Sequence, residues 1–200
     1  SNNYRDESIM YRLYAHLFEI EVKPDDADMC IEQAIGANPD SLVSHLAYLT
    51  LLETRLINNQ RTPSAVSDAQ LFLEEIEKVR KEFQRYGDIG PRNIAIVNLM
   101  RIRGLLISES NLKLESLAMD TFKQVLLCNF DKQVDSILAS LLTYFVYSDE
   151  VLIDLFSYLE NMPISEGLSK HLVLRYGSSE LIHDELKKFL KKILKQQFIS

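Results

Sequence analysis

Histidine, cysteine and carboxylate side chains are where metal ligation, nucleophilic attack and acid–base chemistry would begin. The four histidines, His16, His45, His171 and His183, are scattered. No two stand three or four residues apart, the spacing that lets successive helical turns share a metal ion. Cys30 and Cys128 have no Cys or His one turn away, so no zinc site is expected. Each thiol reads as a small buried hydrophobe rather than a nucleophile. The chain contains no Gly-x-Ser-x-Gly elbow, no phosphate-cradling loop and no dinucleotide-binding glycine fingerprint. Glu74-Glu75 reads as a solvated helix face, and Asp149-Glu150 as acids complementing a helix N-terminus. The expectation is a protein that is not an enzyme and holds no cofactor or metal.

The elements that would position any such residues are helices. Only six Gly and five Pro occur in 200 residues, too few for many short strands and turns. Apolar positions recur at helical spacing almost throughout, and strict alternation is nearly absent. Helices are expected at about 6–21, 24–37, 41–56, 62–86, 92–108, 112–128, 131–147, 149–160, 165–176 and 179–198. Lys23-Pro24-Asp25-Asp26 ends the first and opens the second, and Pro39-Asp40-Ser41 launches the third. Residues 57–62 read as a polar loop, with Thr62-Pro63 as cap and first position of the fourth helix. Gly87-Asp88-Ile89-Gly90-Pro91 is the strongest break, and others fall at Asn129, Ser148-Asp149, Asn161-Met162-Pro163 and Gly177-Ser178. Helices with such short connections predict antiparallel hairpins.

Hydrophobic residues make up 46% of the chain, enough for a buried core, and the net charge is −7. No apolar run approaches a membrane span and no signal-peptide pattern opens the sequence. Ser1-Asn2 in place of Met reads as the scar of an excised fragment. Two cysteines fit a reducing compartment, so the expected location is intracellular, cytoplasmic or nuclear. Residues 1–40 carry nine acids against Arg5, Arg12 and Lys23, which disfavours nucleic acid as a partner of the body of the chain.

Residues 8–41 carry a repeat pattern: Tyr11, Tyr14, Ala15 and Phe18, then Ala27, Ile31, Ala34 and Pro39. Large and small residues alternate as in the tetratricopeptide motif, Trp-x2-Leu-Gly-x2-Tyr followed by Ala-x3-Phe, Ala and Pro. The chain therefore resembles the tetratricopeptide-like helical-repeat superfamily. A weaker match runs through Met100, Gly104, Ile107, Ala118, Phe122 and Val125. There the turn is two residues longer, Arg103 replaces the Leu and no Pro closes the unit. Residues 41–86 have the hairpin shape but a longer loop and misplaced small residues.

The resemblance implies an all-α, right-handed solenoid of antiparallel hairpins, in which Ala15 and Ala27 let two helices approach closely. It also implies a concave face that takes a peptide or a partner helix. Arg12 and His16 would line that face in the first repeat, and Asn98 and Arg101 in the weaker one. Chaperone-binding members clamp a peptide carboxylate with Lys and Asn. Here Arg12 and His16 stand at those positions and Ala47 at the matching one in the next hairpin, so that specialised role is disfavoured.

Tyr144, Phe145, Tyr147, Phe156 and Tyr158 form an aromatic group in which Phe145 and Phe156 should bury against one another. The tyrosines would be amphipathic, suited to an interface. The last helix has an apolar stripe of Leu181, Ile182, Leu186, Phe189, Leu190, Ile193, Leu194 and Phe198. Opposite lie Lys187, Lys188, Lys191, Lys192 and Lys195. It reads as the cap of the array. The division expected is therefore a helical-hairpin domain at 1–178 and a basic amphipathic capping helix at 179–200. Function is expected through surface, as a scaffold or adaptor subunit of a larger complex binding a protein, peptide or helix. The alternatives are a basic helix whose Lys187, Lys188, Lys191 and Lys192 meet an anionic membrane or nucleic acid, and an enzyme with an unrecognised site.

Overall fold

The computed structural model describes residues 2–86, 89–108, 114–145, 147, 149–159, 164–176 and 184–197. Ten α-helices and no strand occur among the described residues. They are α1 (Asn2–Ile20), α2 (Pro24–Ala37), α3 (Leu42–Asn59), α4 (Ala65–Tyr86) and α5 (Pro91–Ile107). Then follow α6 (Leu114–Leu126), α7 (Lys132–Tyr144), α8 (Asp149–Leu159), α9 (Glu166–Tyr176) and α10 (Asp184–Gln197). Contacts divide the chain into two compact units, Ser1–Gly90 with Met100–Leu112, and Pro91–Leu99 with Lys113–Ser200. The boundary expected at 178/179 lies outside the described residues. So do the breaks at Gly87-Asp88, Ser148, Asn161-Met162-Pro163 and Gly177-Ser178.

In the first unit α1 packs most extensively on α2, and α3 on α4. The small residues of the repeat pattern are the contact surface: Ala15, Ala27 and Ala34 are wholly buried and Ile31 nearly so. Ala15, Cys30, Ile31 and Leu51 form one cluster, with Phe18, Ile35, Ala47 and Tyr48 packed around it. Between α1 and α2, Val22 adopts φ 59, and the Lys23 N–H reaches the Phe18 carbonyl at 2.8 Å. This helix-ending geometry ordinarily takes glycine, so a β-branched residue there is strained. Pro24 then fixes the first position of α2, and Asp25 and Asp26 meet its positive end. The loop expected at 57–62 is shorter in fact, because α3 runs on to Asn59. Thr62 does not cap α4. Its hydroxyl donates back to the Asn59 carbonyl, and α4 begins at Ala65. Gly104 lies where a Cβ would come within 2.9 Å of Leu73, so α5 touches α4 through a glycine.

In the second unit α7 and α9 start on side-chain caps. Gly90, at φ 77, precedes Pro91 of α5. Asp131 accepts from the Gln133 and Val134 N–H groups at the start of α7 and pairs with Arg92 at 2.7 Å. The Val134 N–H above all, then Arg92, holds the Asp131 carboxyl below its ordinary range. Phe156 is buried and Phe145 half-buried. The Phe145 ring meets Tyr147, which is buried against Phe122 at 5.4 Å rather than amphipathic at a surface. Tyr158 donates to the Cys128 carbonyl at 2.7 Å.

Asp135 joins α7 to α9. It is buried, and its carboxylate accepts from both the backbone N–H and the hydroxyl of Ser165. That hydroxyl in turn accepts from the Leu168 N–H, capping α9. Asp135→Asn replaces charge-assisted hydrogen bonds with neutral ones and should cost about 1 kcal/mol in urea unfolding. Ser165→Ala added to it should cost less than Ser165→Ala alone, because the link to Asp135 is already weakened and chiefly the cap of α9 remains to be lost; full additivity would show the link to be idle.

Candidate functional site

The residues singled out in the sequence do not converge. Arg12 and His16 lie one turn apart on α1, His16 exposed and Arg12 half-buried with its Nε donating to the Ser8 carbonyl at 3.3 Å. Asn98 is only 7% exposed, which corrects its expected place on an open face. Arg101 pairs with Glu77 of α4 at 3.2 Å, and Glu77 is also held by Arg80 at 2.9 Å. Arg101 is thus part of a helix–helix link. Lys188, Lys191, Lys192 and Lys195 of α10 are exposed and Lys187 is half-buried. The described part of the opposite face is Leu190, 4% exposed, and α10 packs on α8 and α9. The side chains of Leu186, Phe189, Ile193 and Leu194, and residues Leu181, Ile182, His183 and Phe198, lie outside what is described.

No cluster of His, Cys, Asp or Glu suited to a metal occurs among the described residues. His45 donates from Nε2 to the Pro39 carbonyl at 3.0 Å and sits edge-on to Phe83, so it is a packing residue. Burial pushes both the Cys30 and Cys128 thiols up, which lowers the thiolate fraction and with it their nucleophilicity. Both are free.

One concavity was not legible in the sequence. Between α3 and α4 opens a cleft of about 300 Å³ with Leu52, Leu56 and Phe72 on its apolar lining. Leu56 and Phe72 are each 3% exposed, whereas Leu71 at the margin is 64% exposed. Tyr48 also lines it, and burial first, then the Glu75 carboxylate, push its phenol up. The polar lining consists of Arg55, Asn59, Asp68 and Glu75. Glu75, read from sequence as part of a solvated face, is therefore a cleft residue.

The charge of that lining follows from its neighbours. Arg55 of α3 reaches Glu19 of α1 at 2.6 Å and Asp28 of α2 at 2.8 Å, so two carboxylates outweigh its cation. Asp68 accepts from the Ser64 hydroxyl, and Glu75 pairs with Lys78. The balance around the cleft is acidic. An apolar floor of this size with acids around it suits an aliphatic or aromatic side chain flanked by Lys or Arg.

No helix among the described residues is long and apolar enough to cross a membrane. Comparison of the chain with family models, with curated proteins and with solved structures returned no match.

Proposed function

We propose that this chain is a non-catalytic scaffold or adaptor subunit of an intracellular complex. Its first unit would receive a short apolar segment of a protein partner, bordered by basic residues, in the α3/α4 cleft. The observation that carries this is the cleft itself, with a buried apolar floor, the exposed Leu71 at its margin and carboxylates around it. A tetratricopeptide-like stacking of two antiparallel hairpins, α1–α2 and α3–α4, fits the same reading. The complete burial of Ala15, Ala27 and Ala34 supports it, as those are the small positions of the motif. Free thiols at Cys30 and Cys128 suit a reducing cytoplasm or nucleus.

Leu71→Asp tests the reading without threatening the core, since Leu71 is mostly solvated. Partners recovered with the tagged full-length chain should fall at least about tenfold with this variant, a loss of roughly 1.4 kcal/mol. Thermal melting should stay unchanged. Undiminished recovery of every partner by Leu71→Asp would remove the cleft from the account. A second reading rests on the exposed lysines of α10: an acidic surface, membrane or nucleic acid would bind there. It predicts instead that Lys188→Gln with Lys191→Gln, not Leu71→Asp, abolishes association.

A further inference from the structure

Helix α1 is apolar on two opposite sides. Ser8 and Ala15 face inward and are buried. On the other side Ile9 is 40% exposed, Met10 45%, Leu13 61%, Tyr14 46%, Leu17 54% and Ile20 77%. At about 100° per residue these six occupy an arc of roughly 140°, and no charged residue from 9 to 20 enters it. The arc is centred opposite Ala15, so it points away from α2. It amounts to several hundred Å² of contiguous apolar surface, at or above the largest patch a monomer ordinarily shows.

The spacing within the arc says what kind of surface covers it. Met10, Leu13, Leu17 and Ile20 follow the three–four–three step of a coiled-coil seam, positions a, d, a and d. Ile9 and His16 then take the g positions beside the seam, and Tyr14 and Glu21 the e positions. Ser8 and Ala15 fall at f, the side buried in the domain. A second helix laid on the seam therefore meets no obstruction from α2.

We propose that this face pairs with the same face of a second copy of the chain, the two α1 helices running parallel about a two-fold axis. The flanks are self-complementary in that orientation. Position g of one helix meets e of the other, which sets Ile9 against Tyr14 and His16 against Glu21 across the axis. The antiparallel alternative opposes g to g and e to e, which parts His16 from Glu21 and brings Glu7 of one copy towards Glu21 of the other. Asp6, one heptad before Leu13, also falls at d, so the apolar seam begins at Met10. Glu21 currently bonds Lys23 at 2.7 Å, but both side chains are about half exposed, so that pair gives way at little cost. Two such faces together bury on the order of 1,000 Å², the lower bound for a specific interface, so a reversible, micromolar dimer is expected. The surface shares no residue with the α3/α4 cleft and stands whether or not the cleft binds a partner.

Sedimentation equilibrium of the full chain tests it. The wild type should pass from monomer to dimer across the micromolar range, and Leu13→Glu with Leu17→Glu should weaken association by at least about a hundredfold. Because both residues are mostly exposed, the double variant should melt with the wild type. Mild oxidation of Leu13→Cys should then give a disulfide-linked dimer that the wild type, with its native thiols, does not give. A wild type that stays monomeric at roughly 100 μM overturns the proposal, as does a dimer indifferent to the double variant. Cross-linking that needs Leu13→Cys mixed with Leu17→Cys would overturn the parallel arrangement and establish the antiparallel one.

Discussion

A chain ending before Asp184, lacking α10, is expected to melt at a markedly lower temperature or to aggregate. Helix α10 packs on α8 and α9, and its Leu190 is 4% exposed. Removing it returns that side chain's cover, and the apolar surface beneath, to water. Even the single truncation Leu190→Ala should cost about 2–5 kcal/mol, the range for emptying a buried leucine site. The other face of the helix predicts the opposite behaviour. Lys188, Lys191 and Lys195 are exposed, and solvated charges contribute little to stability, so changing all three to Gln should leave the melting curve nearly in place. If α10 were instead an arm held ready for a partner, the deletion would leave melting unaltered and abolish only a binding activity. Melting curves of the deletion, Leu190→Ala and the triple lysine variant, taken together, separate the two cases.

Which parts of this were legible beforehand depends on how local the determining chemistry is. Helix starts were. Pro24 with Asp25 and Asp26, Pro91 after Gly90, and Asp131 each act within one turn, so the starts of α2, α5 and α7 fall within a residue of expectation, whereas α7 ends at Tyr144 rather than at 147. Stops marked only by polar composition were not. Asn58 and Asn59 continue α3 because nothing before Pro63 forbids another turn. The inward side of α1 was half legible. The repeat pattern selects Ala15, which is buried, whereas the larger apolar stripe of Ile9, Leu13, Leu17 and Ile20, the natural choice for a core face, is exposed. Periodicity identifies an apolar face but not whether a neighbour covers it. Small residues matter more here, since close approach of α2 needs side chains no larger than Ala15 and Ala27. Asn98 failed for a related reason: a polar residue on a helix carries no mark of its burial.

The link that sequence reading missed entirely is Arg55, and its loss should be among the most damaging single changes in the first unit. Its guanidinium donates from Nε and Nη2 to Glu19, from Nη1 to both Asp28 oxygens, and from Nη2 to the Pro24 carbonyl. Glu19 belongs to α1, Asp28 to α2 and Arg55 to α3, so no local pattern announces the meeting. The carboxylates hold the guanidinium charged more firmly than usual, the Glu19 hydrogen bond contributing most. Arg55 and Glu19 are each about four-fifths buried. Arg55→Ala therefore leaves two carboxylates facing each other in a half-dry seam, with donors to neither. Removing one partner of a fully buried pair costs about 3–5 kcal/mol, and partial solvation here brings the expectation to about 3 kcal/mol. Arg55→Lys should recover only part of this, because a single ammonium cannot span both carboxylates in the planar fork geometry. Urea unfolding of wild type, Arg55→Lys and Arg55→Ala at neutral pH gives both differences. Equal stability of Arg55→Ala and wild type at neutral pH would mean that the three helices are held by the apolar seam around Ala15 and Ile31 alone.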